Sequence, residues 1–235
     1  MLTYFCKSEG LSYKQGINDV MAPFLWLAIS NSNKFNQEGS SQKPNTSSGK
    51  KKRKDQSNLS ESVAQFDLEE PYIMARQFIR KFQTNLFLND DFYALQSCLS
   101  LFKLLLFYHD PVVAKHLENN NVTPELYCIP WFITYFASRI ESASLVLEFW
   151  DFVMTATDEA SSVSFIFFFA TALVVTSRET ILRSDQADLP QLMSQLSIKT
   201  REDLHTIMRA ADDLQDNTPY SFKQIEELKG LFMRQ

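Results

Sequence analysis

The 235-residue chain is 45% apolar and 22% charged, the balance of a soluble globular protein with room for a sizeable core. Five glycines stand against twenty phenylalanines, too few for the positive-φ turns of a Rossmann unit, a P-loop or a hairpin-rich sandwich, so an all-α fold is expected. The net charge of −5 is uneven: residues 34–55 hold seven Lys/Arg against two Asp/Glu, and the remainder 16 against 26, an acidic body unsuited to a nucleic-acid backbone.

In chain order, helices are expected near 1–8 and 16–31. A polar stretch follows over 36–60, NQEGSSQKPNTSSGKKKRKDQSNLS, with a single Leu. It cannot bury enough apolar surface to offset its ordering entropy, and it reads as a disordered polar and basic insertion within one domain. The run Lys50-Lys51-Lys52-Arg53-Lys54 inside it fits a solvated charge run better than a nuclear-import or anionic-surface patch. Helices are then expected over 71–84 and 90–107, where Phe92, Leu95, Leu99, Phe102 and Leu106 step with helical period. Further helices are expected over 111–118, 124–139, 143–156, 161–182, 188–196, 201–215 and 219–232. Thr123-Pro124 and Thr218-Pro219 each offer a cap hydroxyl followed by proline, and Thr200 with Asp203 resembles a capping box. Residues 160–177 carry no charge, yet serines and threonines dilute them, so they read as a buried core helix rather than a membrane span.

Candidate chemistry is sparse. Cys6, Cys98 and Cys128 are odd in number and widely spaced, which suggests neither a disulfide framework nor a zinc site and fits an intracellular setting. His109 and His116 have Pro111 between them and His205 lies far along the chain, so no metal or cofactor is expected. No GxSxG, HExxH or phosphate loop occurs. One stretch stands apart: Ser12-Tyr13-Lys14-Gln15-Gly16-Ile17-Asn18-Asp19, ahead of the apolar Phe24-Leu25-Trp26-Leu27. A glycine there lets the backbone turn at a helix start, and a glutamine amide donates and accepts at once, which suits orienting a water. Tyr13, Asn18 and Asp19 can equally do no more than cap and anchor the helix, and chemistry alone does not choose.

This stretch resembles the YxQG motif of the TBC domain, the Rab GTPase-activating module. Further segments resemble the family in its own order: LFKLLLFYHDPVVAKHL at 101–117, IPWFITYFA at 129–137 and LEFWDF at 147–152. The resemblance implies an all-helical fold of two subdomains, with residues 1–235 forming a partial TBC domain: the C-terminal subdomain plus the YxQG part of the N-terminal one. It implies an enzyme regulator that accelerates GTP hydrolysis by a GTP-bound Rab in vesicle trafficking. Gln15 is then the catalytic glutamine finger, Tyr13 and Gly16 shape its turn, and Asn18 and Asp19 are its helix-start partners. The implied location is cytoplasmic, with room for peripheral association at Golgi or endosomal membranes and no transmembrane segment. The family's arginine finger lies in an I-x-x-D-x-x-R element upstream of YxQG. Only 12 residues precede Tyr13, so the chain is expected to be N-terminally incomplete. Arg76, Arg80, Arg139, Arg178, Arg183, Arg201 and Arg209 match no arginine motif of the family. An arginine finger is worth roughly 10³–10⁵ in rate. The alternative expectation is therefore a catalytically deficient adaptor that binds a Rab or tethering proteins.

Overall fold

Gly10 ends the first helix. α1 (Leu2–Glu9) stops where Gly10 adopts φ 67°, a left-handed conformation that glycine enters without a Cβ penalty. The Leu11 N–H then closes back onto the Cys6 carbonyl at 2.8 Å. The computed structural model describes residues 1–38, 68–82, 93–155 and 159–219. α2 (Ile17–Glu38) runs seven residues past its expected end and three into the polar stretch; the rest of that stretch, with its basic run, lies outside the described residues. α3 (Glu69–Phe82) packs along α2, with Glu69 and Glu70 in its first turn and Arg80 and Lys81 in its last, each complementing the helix dipole.

The remaining helices surround one apolar axis. α4 (Tyr93–His109) hands over at Asp110 to α5 (Pro111–Asn119); a 3₁₀ turn (Pro124–Leu126) and the short α6 (Ile129–Ile133) follow. α7 (Ala143–Thr155), α8 (Glu159–Thr176), α9 (Arg178–Arg183), α10 (Leu189–Gln195) and α11 (Arg201–Asp216) complete the described fold. α8 is the axis. Residues Phe165–Val174 are buried on every side, with α4, α7 and α11 packed around them. Phe169 stacks on Phe149 at 4.2 Å and meets Phe136 edge-on at 4.8 Å. The centre of the uncharged stretch, 165–174, is thus core, and among the described residues no helix is long and apolar enough to cross a membrane. The Thr200 hydroxyl accepts from Asp203 N–H while the Asp203 carboxylate accepts from Thr200 N–H, so the expected capping box opens α11 with both halves made.

Two expected helices are broken. Over 124–139 the chain forms the 3₁₀ turn, α6 and then a tight turn, because Pro130 has no N–H to extend a helix arriving from Pro124 and is accommodated only in the first turn of a new one. Past α6, Tyr135 (φ 50°) and Phe136 (φ 64°) are both left-handed, a strain of about 1–2 kcal/mol each. Burial of both rings, the Phe136 N–H bond to the Trp131 carbonyl at 2.8 Å and the Trp150 indole bond to the Tyr135 carbonyl at 2.9 Å offset it. Over 161–182, Thr176 and Ser177 turn their hydroxyls back onto the Ala172 and Leu173 carbonyls, and the chain bends at Ser177 before α9. The helix expected at 219–232 lies outside the described residues.

Candidate functional site

The turn between α1 and α2 carries the YxQG stretch. Its floor is Gly16, fully packed and at φ 100°, where an L side chain is strained. A Cβ at Gly16 would stand 2.6 Å from Ile133 Cγ2 and 3.3 Å from Thr134 Cγ2. Glycine is therefore required twice over, by backbone and by the approach of α6. The Gly16 carbonyl accepts from the N–H groups of Asp19 and Val20, both at 3.1 Å, and so starts α2.

Above that floor the side chains form a short relay. Tyr13 donates through its hydroxyl to Asn18 Oδ1 at 2.9 Å, and Asn18 Nδ2 donates to Asp19 Oδ1 at 2.8 Å. Burial raises the Asp19 carboxyl above the ordinary aspartate range, and the nearby Arg139 guanidinium pulls it back only in part. Gln15 is exposed, one residue before the buried Gly16, and its amide makes no hydrogen bond to the other described residues. The structure thus gathers Tyr13, Gln15, Gly16, Asn18 and Asp19 into one element, with the Gln15 side chain exposed to solvent and Tyr13, Asn18 and Asp19 joined by hydrogen bonds.

Segments distant in sequence meet beneath this turn. Ile133 and Thr134 of the 129–137 segment abut Gly16. Phe24 of α2 lies 5.3 Å from the Trp150 ring, Trp150 stacks on Phe78 at 4.2 Å, and its indole N–H is bound by Tyr135. The Asp-Pro junction is equally specific: Asp110 is buried, caps α5 through Val113 N–H at 3.1 Å and pairs with Arg178 at 3.0 Å.

Sequence reasoning missed one feature beside the turn. Glu9, its side chain only 5% exposed, is gripped by Arg76 at 2.6 Å and Arg80 at 2.8 Å from α3. Burial alone would raise the Glu9 carboxyl, but the hydrogen bonds and charges of Arg80 and Arg76 outweigh it and leave it below the ordinary glutamate range. The Ser8 hydroxyl reaches the Tyr72 hydroxyl at 2.8 Å, so α1 is fastened to α3 immediately before the YxQG turn. No local spacing could reveal a pair 67 residues apart.

The other candidate groups go to separate places. His109 bonds Thr218 at 2.9 Å, and His205 bonds Glu148 at 2.6 Å. Among the described residues no group of three His, Cys, Asp or Glu could hold a metal ion. Burial pushes the Cys98 and Cys128 thiols well above their ordinary range, which leaves them unreactive core groups.

Comparison with known proteins fits this arrangement. Proteins called TBC domain-containing protein kinase-like protein, from Homo sapiens and Mus musculus, are each 26% identical to this chain over 186 residues, 79% of it. The Dictyostelium discoideum protein of the same name is 29% identical over 146 residues, 62% of the chain. The chain spans only 16% of the length of the human and mouse proteins and 13% of the Dictyostelium one. The family model described as the Rab-GTPase-TBC domain matches residues 1–182, from α1 through the turn, the Asp-Pro junction and the axial helix to α9. With that match covering most of its length, the chain belongs to the Rab-GTPase-TBC domain family.

Proposed function

We propose that the chain is a GTPase-activating module for GTP-bound Rab proteins, and that it presents Gln15 in trans to orient the water that attacks the γ-phosphate. The observation that carries this reading is an exposed glutamine on a backbone fixed by a buried Gly16. Phosphoryl transfer needs little covalent help from protein, so positioning and electrostatics supply most of the catalysis. A glutamine amide whose backbone cannot wander meets the positioning requirement. Tyr13, Asn18 and Asp19 act as its supports, through the hydrogen bonds that join them. On this reading the TBC domain extends past the matched residues, since α11 packs on the same axial helix as α4 and α7. The module acts in vesicle trafficking as a peripheral visitor to Golgi or endosomal membranes.

The test is single-turnover phosphate release from a panel of GTP-loaded Rabs, with wild type and Gln15→Ala. An acceleration by wild type that falls about 10²-fold in Gln15→Ala, at unchanged thermal stability, supports the reading. Equal rates for the two proteins overturn the glutamine role. Rab binding without any acceleration by wild type replaces activation with the adaptor function.

A further inference from the structure

Gln15 lies on a short connection with two ends. Its exit is Gly16, packed against Ile133 of α6. Its entrance is the last turn of α1. There Glu9 is followed by the left-handed Gly10 and by Leu11, which packs against the core with its N–H on the Cys6 carbonyl at 2.8 Å. Whatever fixes α1 therefore fixes where the connection begins.

α1 is too short to hold itself. Isolated helices below about 12–15 residues are marginal in water; α1 has eight, of which Phe5 is fully buried. A second hold comes from α3, where Tyr72, Arg76 and Arg80 follow one another at intervals of four and share one face. Tyr72 meets the Tyr4 ring edge-on at 4.9 Å and the Ser8 hydroxyl at 2.8 Å. Arg76 Nε donates to Glu9 Oε1 at 2.6 Å, and Arg80 donates to Glu9 Oε2 through Nη2 at 2.8 Å and through Nε at 3.3 Å. The row thus ends on the Glu9 carboxylate, its contact nearest the turn. The hydroxyl pair is exposed, so water can replace it. The Glu9 side chain is 5% exposed, and its charge-assisted bonds are the stronger and more directional ones.

We propose that Glu9, held by Arg76 and Arg80, is a positioning residue for the connection that carries Gln15, fixing its entrance as Gly16 fixes its exit. The inference rests on the reading of Gln15 as the glutamine delivered to the GTPase. Without the carboxylate, α1 is left to pivot on Phe5, and a displacement of about 1 Å at a positioned group is worth up to about 10²-fold in rate.

The experiment compares wild type, Glu9→Gln and Glu9→Met as the full chain, each with a cooperative thermal transition above the assay temperature. Glutamine removes the charge and one acceptor. Methionine removes both acceptors and, being flexible and apolar, suits the buried position. Backbone NMR relaxation gives a readout independent of activity: Glu9→Met lowers the order parameters of residues 11–15 from about 0.85 toward about 0.6 and leaves 17–20 rigid, with Glu9→Gln between. In the Rab assay Glu9→Met lowers kcat about tenfold and leaves KM within about twofold. In a Gln15→Ala background the same substitution changes kcat by less than about twofold, because the group being positioned is gone. Glu148→Gln is the control: its carboxylate is likewise held by two groups, Arg201 at 2.9 Å and His205 at 2.6 Å, but it joins α7 to α11 and leaves kcat within about twofold. An equal fall in Glu148→Gln, or an equal fall in both Gln15 backgrounds, makes the effect a general loss of structure and overturns the inference. Unmoved order parameters at 11–15 in Glu9→Met overturn it as well. So does a stimulated rate that depends on Gln15 but not on Glu9, with the role of Gln15 intact. A rate indifferent to Gln15 defeats the functional reading instead, and the order parameters then decide whether Glu9 holds the connection.

Discussion

Substituting Gly16 by alanine tests the turn with a single atom group. Two costs add. At φ 100° a non-glycine residue stores about 1–3 kcal/mol of backbone strain. The new Cβ would also stand 2.6 Å from Ile133 Cγ2, roughly an ångström inside ordinary contact. That methyl belongs to a β-branched side chain with few rotamers, so it yields poorly, and overpacking of this kind costs about 1–3 kcal/mol. The expected loss is therefore about 2–6 kcal/mol, a large share of a total stability of about 5–15 kcal/mol. Gly10→Ala is the internal control: φ is 67° and nothing lies within 4 Å of its Cβ position, so only the strain of about 1–2 kcal/mol is felt. Both substitutions reduce unfolded-state freedom equally, and that contribution cancels in the comparison. Urea unfolding of the two variants isolates the contact with α6, and an Ile133→Ala cycle with Gly16→Ala is expected to show a coupling of about 1–2 kcal/mol. If Gly16→Ala and Gly10→Ala differ by less than about 0.5 kcal/mol, the turn does not rest on Ile133 and the argument for its rigidity collapses.

Two further outcomes follow from charges around the site. Glu9→Gln keeps the shape of the α1–α3 clasp and removes its charge; because Arg76 and Arg80 are partly exposed, the expected cost is about 1–2 kcal/mol, below the ~3–5 kcal/mol of a fully buried pair. Since the folded Glu9 carboxyl lies below its ordinary value, its contribution is complete above about pH 4.5 and is lost as pH falls through the folded value. Glu9→Gln should flatten that acid limb in urea midpoints measured from pH 3 to 6, and an unchanged limb would assign it elsewhere. At His109, burial lowers the imidazole pKa from 6.5, so the unfolded chain takes up the proton first. This contribution to stability is whole above about pH 6.5 and declines as pH falls through the lowered folded value. Midpoints taken between pH 5 and 8 should lose that slope in His109→Gln, and a slope that persists places the titration on another group.

Local chemistry was what the sequence made legible. Scarce glycine and the helical stepping of Phe92 to Leu106 pointed to an all-α fold, and Thr200 with Asp203 named a cap that the structure makes in full. The diluted composition of 160–177 was enough to place that helix in the core. Pro130 was a visible helix breaker inside 124–139, and the hydroxyls of Thr176 and Ser177 were visible competitors for helix carbonyls, yet apolar periodicity overrode both. What could not be read were the partners. Glu9 with Arg76, Asp110 with Arg178, and Gly16 against Ile133 join residues that only the packed fold brings together. The YxQG residues could be named one by one, but the packing of Gly16 beneath Gln15 comes from α6, more than a hundred residues away.

That dependence bears on how activation and mere binding can be told apart. An exposed glutamine carries side-chain entropy worth up to about 1.5–2 kcal/mol, which must be surrendered when its amide orients a water. If the backbone beneath it were also mobile, fixing it would cost about 1–2 kcal/mol more per residue at the moment of catalysis. In this chain the backbone cost is met during folding, by the packing of Gly16 on Ile133 and by the bonds from Tyr13 through Asn18 to Asp19. On the proposed reading, loosening the floor of the turn should therefore appear in kcat, through Gln15, and leave affinity for a Rab to whatever surface would supply it. An adaptor gains nothing from such a floor. Affinity that falls in step with the floor would mean that the turn binds, and a rate that falls alone would mean that it catalyses.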